Sequence, residues 1–320
     1  MNITNRCTKA KITEFLLHGF TCSVTMNVLL FSLCFGIYIV SLIVNFTIIG
    51  LYLGSQHLRS PMYFFLCHLS ITDIMLSTSV VPIFLSTLLG SGETISVSAC
   101  VTQFFCCSFF TGVECFLLTV MSYDRYLAIC NPLHYVKIMT YKHCLCLVTW
   151  TWFLMFVGVL TLTITICHSG FFGCNILDDI YCDYAPLLEI SCSDIFIVEI
   201  EKVILNIFLT FLPFICIITS YINIIISILR ISTSTGRQKA FSTCVSHLTV
   251  VCTYYGILIA KYTVPSKSQS SFVNKVISLV YTTVAPLLNP IIYSIRNQDV
   301  RKALSKCISL NLRMFDIHFL

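Results

Sequence analysis

The sequence predicts an all-α membrane protein: a bundle of seven transmembrane helices, with a short amphipathic helix after the last one. The 320-residue chain is 57% hydrophobic and only 10% charged, with a mean hydropathy of +0.90. A soluble domain carries about 25% charged residues. Repeated apolar stretches, joined mostly by short connections, indicate several membrane crossings rather than a single anchor.

Seven stretches reach the length of about 20 apolar residues that a helix needs to cross a bilayer. They are residues 26–53, 61–88, 100–125, 143–167, 196–229, 240–262 and 272–294. We expect residues 1–320 to form one domain, in which 1–25 precede the first span and 295–320 follow the last. In that tail, basic residues alternate with Ala303, Leu304 and Ile308, a pattern typical of a helix lying on a membrane surface.

The distribution of charge predicts the orientation of the spans. Basic residues collect on the cytoplasmic side of membrane proteins. With the N-terminus outside, that side holds Arg59, Arg125, Lys137, Lys142, Arg230, Arg237, Lys239, Arg296, Arg301, Lys302, Lys306 and Arg313. The segment 178–201, rich in Asp and Glu, then lies outside. We therefore expect an extracellular N-terminus, a cytoplasmic tail, and glycosylation at Asn2 in the sequence Asn2-Ile3-Thr4.

Composition also bears on partners. The lysines and arginines are scattered between apolar blocks and form no patch, so membrane lipid is expected around the chain and nucleic acid is not. Most of the 19 cysteines lie inside apolar runs, where a free cysteine behaves as a small buried hydrophobe.

Ionisable residues inside spans mark functional positions because they are costly to place in a membrane. Asp73 and Glu114 are two such carboxylates, and Asn45 and Asn289 are expected near Asp73. These oxygens suit a sodium ion, a proton or ordered water, and no other cofactor is expected. A polar network that only holds helices together is the alternative.

The stretch MSYDRYLAICNPLHY, residues 121–135, places Asp124 and Arg125 at the end of an apolar run. Neighbouring residues do not share a helix face, so the arginine must curl to meet the aspartate. A loosely paired charge at a membrane boundary suits a switch. Pro132 is expected to end the helix within about a turn.

Five segments in order carry a family resemblance. They are LRSPMYFFLCHLSITD (58–73), MSYDRYLAICNPLHY (121–135), SY (220–221), KAFSTCVSHL (239–248) and PLLNPIIYSIRN (286–297). The chain resembles an olfactory (odorant) receptor of the rhodopsin-like class of G-protein-coupled receptors, in the tetrapod-type branch. The resemblance implies a receptor for small volatile molecules and a stimulatory olfactory G-protein that raises cAMP.

The same resemblance implies roles for single residues. Arg125, flanked by Asp124 and Tyr126, would be the switch arginine, and Tyr221 and Tyr293 would swing toward it on activation. Asn289 and Pro290 would form an adjustable joint in the seventh span. Asp73 and Glu114 would hold a sodium ion in the resting state.

A ligand pocket is expected between the third, fifth and sixth spans. Residues at helical spacing that would face it are Phe104, Ser108, Thr111, Gly112, Cys115, Asn206, Leu209, Tyr255, Ile259 and Tyr262. The pocket would be small and mostly apolar, with a few hydroxyl and amide groups. Ordinary helix packing is the alternative for each of these residues.

The resemblance also implies a disulfide between Cys100 and Cys182. Phe172 occupies the position of a second loop cysteine, so we expect Cys174 to pair with Cys192 instead. Lys261 stands where the family has an apolar residue. It is expected to snorkel toward the outer interface, or else to face the cavity and favour an acidic odorant.

Other classes of function fit the sequence less well. A rhodopsin-like receptor for another ligand, such as a peptide or a lipid, is the nearest alternative. A transporter also buries carboxylates, but paired repeats with broken helices are not evident. An enzyme is not expected, because no HExxH or GxSxG motif occurs and GSGET (90–94) lacks the residues of a phosphate loop.

Overall fold

The computed structural model describes residues 8–20, 22–90, 92–173, 175–190, 195–262, 271–296, 300–302 and 305. Seven long helices pack side by side in these ranges. Spans 1 to 4 are Val24–Gly54, Pro61–Leu89, Val97–Cys130 and Tyr141–Ser169. Span 5 consists of three consecutive helical segments, Ile195–Asn206, Ile207–Phe211 and Leu212–Leu229. Span 6 is Ser234–Tyr262. Span 7 consists of the consecutive segments Ser271–Leu279, Val280–Val284 and Ala285–Arg296.

The outer surface of the bundle matches a membrane. Six of the described helices are long and apolar enough to cross one. Span 6 is the most polar of the seven and packs against spans 3, 5 and 7. Exposed side chains such as Phe46, Trp150 and Ile215 cover the outside of spans 1, 4 and 5. An apolar outside around buried Asp73 and Glu114 defines a multi-pass membrane protein.

Local chemistry explains where several spans begin. The hydroxyl groups of Ser23, Ser96 and Thr140 each accept a hydrogen bond from a backbone N–H in the first turn of spans 1, 3 and 4. Such caps satisfy donors that have no partner inside the helix. Span 3 ends at Cys130, and Pro132 occupies the first turn of the short helix Pro132–Ile138, where its missing N–H costs nothing.

Two spans contain a wider, π-helical turn. One covers Ile207–Phe211 just before Pro213, and the other covers Val280–Val284 just before Pro286. A proline has no N–H for the carbonyl four residues earlier, so the hydrogen-bond ladder shifts locally. The first wide turn lies beside the cavity described below.

Short strands, which the all-α prediction did not include, cap one end of the bundle. The strands are β1 Thr8–Lys11, β2 Glu14–Leu17, β3 Glu93–Ser96, β4 Phe172–Gly173 and β5 Ile176–Leu177. β2 pairs antiparallel with β3 and parallel with β5, and β1 pairs with β4. Phe15 and Leu17, which belong to β2, are fully buried. We call this the disulfide end, since Cys100 and Cys182 lie there, and the opposite end, with Asp124 and Arg125, the arginine end.

The expected amphipathic helix after span 7 lies mostly outside the described residues. Residues 300–302 and 305 are helical. Val300 is buried near Ile48, Leu51 and Leu58, while Arg301 and Lys302 are exposed.

Candidate functional site

A cavity of about 230 Å³ lies between spans 3, 4, 5 and 6, near the disulfide end. Most of its wall is apolar. Its lining residues are Phe104, Ser108, Thr111, Gly112, Cys115, Met155, Val159, Leu162, Asp183, Tyr184, Lys202, Leu205, Asn206, Leu209, Thr210, Phe211, Phe214, Tyr255, Leu258 and Ile259. Toward the disulfide end it is bordered by Asp183 and Tyr184, which belong to the long loop between spans 4 and 5.

The cavity gathers nine of the ten residues predicted to face a pocket. The tenth, Tyr262, has its side chain outside the described part of the structure. The wall from span 4 was not predicted, and it includes Met155 and Val159. Two charged lining residues were also missed: Asp183 in the loop and Lys202 in span 5. A lysine within the apolar run of span 5 is the signal that could have identified Lys202.

Gly112 and Met155 together set the width of the cavity. A Cβ atom on residue 112 would lie 1.7 Å from the terminal methyl of Met155. The glycine therefore leaves room for the methionine side chain. Because methionine is flexible, any larger residue at 112 is expected to push it elsewhere along the cavity wall.

The tyrosines of span 6 differ in how their hydroxyls are used. The hydroxyl of Tyr254 donates to the carbonyl of Thr111 over 2.7 Å. Tyr255 is buried in the cavity wall and stacks near Phe214, with ring centroids 4.7 Å apart. Its hydroxyl makes no hydrogen bond of ordinary length and angle to any residue that the structure describes, although Cys115 and Thr119 are polar neighbours. A buried hydroxyl without a partner is costly, so a ligand oxygen that came within reach would be a favourable partner for it.

Lys261 does not extend toward solvent, and it does not line the cavity. Its Nζ donates to Ser278 of span 7 and lies 2.9 Å from a carboxylate oxygen of Asp183 and 3.9 Å from one of Asp179. It also lies 4.7 Å from the ring centre of Tyr181. Both expectations for Lys261 were wrong, because two loop carboxylates compete successfully with water for the ammonium group. The lysine ties the loop to spans 6 and 7.

The pKa values of Asp183 and Asp179, the two carboxylates near Lys261, are shifted in opposite directions. Burial alone would raise the pKa of Asp183, but the charge and hydrogen bond of Lys261 hold that pKa below its ordinary value. Burial raises the pKa of Asp179, and the more distant Lys261 offsets this only in part. Asp183 therefore keeps its charge into mildly acidic solution more firmly than Asp179 does.

This difference predicts opposite pH effects. The stabilisation from Asp183 is complete above the ordinary pKa of an aspartate and is lost as the pH falls through its lower folded value. Asp179, with a raised folded pKa, costs stability as the pH rises. In Asp183→Asn, the free energy of unfolding should fall less steeply than in the wild type as the pH drops into the acid range. In Asp179→Asn, the free energy of unfolding should rise relative to that of the wild type as the pH increases. Thermal unfolding of the purified protein between about pH 3 and pH 8 measures both; parallel curves would contradict the assignment.

A second polar cluster lies deep between spans 1, 2, 3 and 7. Asn289 donates to a carboxylate oxygen of Asp73 over 3.0 Å, and the carboxyl group of Glu114 lies beside it. One oxygen of each carboxyl has no hydrogen-bond partner among the described residues. Asn45 does not bond to Asp73; it donates to the carbonyl of Pro286 over 3.1 Å. That carbonyl lies four residues before Pro290, so Asn45 supplies the donor that the proline lacks.

At the arginine end, Arg125 contacts Asp124 through two of its nitrogens. Asp124 is fully buried and also accepts a hydrogen bond of 2.8 Å from the hydroxyl of Tyr135. Arg125 forms no other ion pair with any described residue. Tyr126 packs half-buried against the core.

The tyrosines expected to meet Arg125 do not hydrogen-bond to it here. Tyr221 bonds to Nδ1 of His247 over 2.5 Å, and the two rings stack. Tyr293 is buried, and its hydroxyl has no hydrogen-bond partner in the described ranges. The fully buried His247 was missed as a site residue, although it lies within the motif KAFSTCVSHL.

Cys100 and Cys182 form a disulfide that fastens the long loop to the start of span 3. The backbone N–H of Cys182 also donates to the side chain of Gln103 over 2.9 Å. Cys174, Cys192 and Asn2 lie outside the described residues, so the second disulfide and the glycosylation site stay predictions.

The arrangement of the seven helices defines the class of protein. The structure matches the crystal structure of squid rhodopsin with a TM-score of 0.72 over 90% of this chain and 82% of that one, at 16% sequence identity. The fold is therefore that of the rhodopsin-like seven-helix bundle.

Sequence comparison identifies the family within that class. The family model for olfactory receptors matches residues 33–311. Olfactory receptor 5P56 of Mus musculus is 44% identical over 93% of this chain and 96% of its own length. Olfactory receptor 9Q2 of Homo sapiens is 41% identical over 93% of this chain and 95% of its own length. The chain belongs to the olfactory receptor family; it is a G-protein-coupled receptor and not an enzyme.

Proposed function

We propose that this odorant receptor binds small volatile organic molecules in the cavity between spans 3, 4, 5 and 6 and then activates a stimulatory olfactory G-protein that raises cAMP. The observation that carries the proposal is the cavity itself, which is mostly apolar and lined by a few polar groups. Such a site is typical of small-molecule binding in helix bundles. The partners would be the odorant, the G-protein and the surrounding lipid.

The size and chemistry of the cavity favour a small ligand. A dry protein cavity of about 150 Å³ accommodates benzene, so one of about 230 Å³ suits a somewhat larger molecule. Each buried methylene contributes about 0.8 kcal/mol. The hydroxyls of Ser108, Thr210 and Tyr255 and the amide of Asn206 offer one or two hydrogen bonds in addition.

Tyr255→Phe tests the contribution of the unpaired hydroxyl. The EC50 of agonists with a hydrogen-bonding oxygen should rise about 3- to 10-fold, the equivalent of one ordinary hydrogen bond. Hydrocarbon agonists of the same shape should be unaffected. Tyr254→Phe is the matched control, because its hydroxyl bonds to Thr111 and does not line the cavity. Equal losses for both kinds of agonist would contradict this role.

Signalling would pass from the cavity to the arginine end. Phe214 and Tyr255 line the cavity on spans 5 and 6, and the same spans carry Tyr221 and His247. A ligand that draws these spans together would bias the Tyr221–His247 contact. Arg125 would then leave Asp124 and face the G-protein, with Tyr221 and Tyr293 turned toward it and the joint at Asn289 and Pro290 adjusting.

A sodium ion would stabilise the resting state by binding between Asp73 and Glu114. Support comes from the two buried carboxyl groups, each with an oxygen that lacks a partner among the described residues, because hard cations prefer oxygen ligands. Sodium chloride should then raise the unfolding temperature of purified receptor above that in choline chloride. The difference should disappear in Asp73→Asn. An equal effect in both proteins would contradict the site.

The receptor would operate in the plasma membrane with its N-terminus and the disulfide end outside. The oxidising exterior would preserve the Cys100–Cys182 bond. An epitope tag at the N-terminus should be stained on intact cells, whereas a tag at the C-terminus should require permeabilisation.

The test of this function is cAMP production in cells that co-express the chain with the olfactory G-protein. A chemically broad odorant panel is applied at equal, measured surface density of receptor. A dose-dependent rise that requires both the receptor and the G-protein α subunit is expected. No response from receptor shown to be at the surface would contradict the proposed coupling.

A further inference from the structure

We propose that Lys202 makes the cavity a binding site for acidic odorants, in which a carboxylate pairs with the ammonium group and an apolar tail lies deeper between the spans. This inference rests on the proposed function, since it specifies the ligand class of the same cavity. Among the described residues that line the cavity, Lys202 is the one cation.

Lys202 has no carboxylate partner at close range among the described residues, although Asp183 and Glu199 act on its charge from farther away. Its Nζ lies 3.9 Å from the ring centre of Tyr184, a contact that helps a cation in a partly desolvated place. It makes no ion pair within 4.0 Å with any residue that the structure describes. A half-buried ammonium without a carboxylate has lost part of its hydration, and an anion inside the cavity would compensate that loss.

Asp183, the carboxylate among the described lining residues, already has a partner at close range. Asp183 is held 2.9 Å from Lys261 and accepts the backbone N–H of Tyr184 over 2.8 Å. Lys261 does not line the cavity, and its ammonium group lies within 4.0 Å of both Asp183 and Asp179. Asp183 and Asp179 thus have Lys261 as their cation within 4.0 Å, and the ammonium group of Lys202 is left to meet a ligand carboxylate.

The remaining wall fits the other half of such a ligand. Leu205 and Leu209 follow Lys202 along span 5, and Phe214 lies twelve residues beyond it. At 1.5 Å per residue, Leu209 lies roughly 10 Å further along the helix than Lys202, a distance that an eight-carbon chain spans. An acid with a medium-length alkyl or aryl tail can therefore reach from the ammonium group into the apolar part of the cavity.

Purified full-length receptor in lipid nanodiscs is tested by ligand-induced thermal stabilisation. The probes are octanoate, 1-octanol, methyl octanoate and octylamine at neutral pH, where octanoate is ionised. Octanoate should bind more tightly than the other three. Lys202→Met should weaken octanoate binding about 10- to 100-fold, as expected for a hydrogen bond to a charged group, and change 1-octanol binding by less than about 3-fold. Lys202→Arg should retain most of the affinity.

Glu199→Gln is the matched control, because this exposed acid lies three residues before Lys202 and does not line the cavity. This variant changes the local charge by one and should not weaken the binding of octanoate. Preference for octylamine in the wild type, or equal octanoate affinity in wild type and Lys202→Met, would overturn the proposal. The wild-type comparison of the four probes decides even where a variant fails to fold.

The same probes separate this inference from the proposed function. If neutral odorants raise cAMP but octanoate does not bind, the receptor function stands and the acid specificity fails. If octanoate binds through Lys202 but no compound raises cAMP, the specificity stands and the proposed coupling fails.

Discussion

Replacing Lys261 with methionine is expected to lower the free energy of unfolding by about 3–5 kcal/mol, the cost of leaving a buried carboxylate without its cation. The Lys261 side chain is only 8% exposed, and that of its partner Asp183 is 10% exposed. Asp179 would also lose the only cation within 4.0 Å among the described residues. Because the lysine joins the long loop to span 7 through Ser278, the loop should loosen as well.

Lys275→Met is the matched control. Lys275, on span 7, also pairs with a loop acid, but that acid, Asp178, is 53% exposed. Water can solvate Asp178 once the lysine is gone, so a loss of about 1 kcal/mol or less is expected. Chemical or thermal unfolding of purified protein compares the two variants.

A multiple variant separates the electrostatic contribution of Lys261 to stability from the contribution of its side-chain packing. Adding Asp183→Asn and Asp179→Asn to Lys261→Met removes the two orphaned charges and should recover a large part of the lost stability. A Lys261→Met protein as stable as Lys275→Met would show that the cluster does not hold the loop.

Arg125→Ala is expected to reduce the agonist-driven cAMP response to the level of cells without receptor. In the structure, Arg125 faces Asp124 and makes no other ion pair with a described residue, so its charge becomes free for a new partner when that contact opens. In the proposed mechanism this freed guanidinium is what the G-protein meets. Ligand binding in the distant cavity should persist in the variant.

Arg230→Ala serves as the control for a general loss of positive charge at the arginine end. Arg230 is exposed and makes no ion pair among the described residues. It should retain the response at equal surface density. If Arg125→Ala alone does not reach the cell surface, the double variant with Asp124→Asn is used instead, because it also removes the buried acid that has lost its cation. A full cAMP response from surface-expressed Arg125→Ala would contradict the switch role.

Local sequence patterns were sufficient to predict the spans and much of the cavity. Apolar length gave seven helices, and helical spacing placed Phe104, Ser108, Thr111 and Cys115 on one wall. The pairing of Asn289 with Asp73 also followed from their depth in the membrane. These features depend on the pattern within one helix or on two polar side chains that must avoid lipid, so they can be predicted from one sequence.

Features that depend on several distant segments could not be predicted in this way. Met155 reaches the cavity because span 4 packs behind Gly112, and no local pattern records that neighbour. Lys261 was expected at the surface because its two acids lie in a loop whose path depends on the disulfide and on β5. The strands over the bundle were missed since each has only two to four residues.

The most direct test of the ligand cavity is a double-mutant cycle at Gly112 and Met155, read as the EC50 of an agonist found in the odorant panel. Gly112→Ala should displace the Met155 methyl and reduce potency, most strongly for the bulkiest agonists. Adding Met155→Ala should restore the room and much of the potency. If all four receptors respond with the same EC50 at equal surface density, the odorant binds elsewhere and the central claim fails.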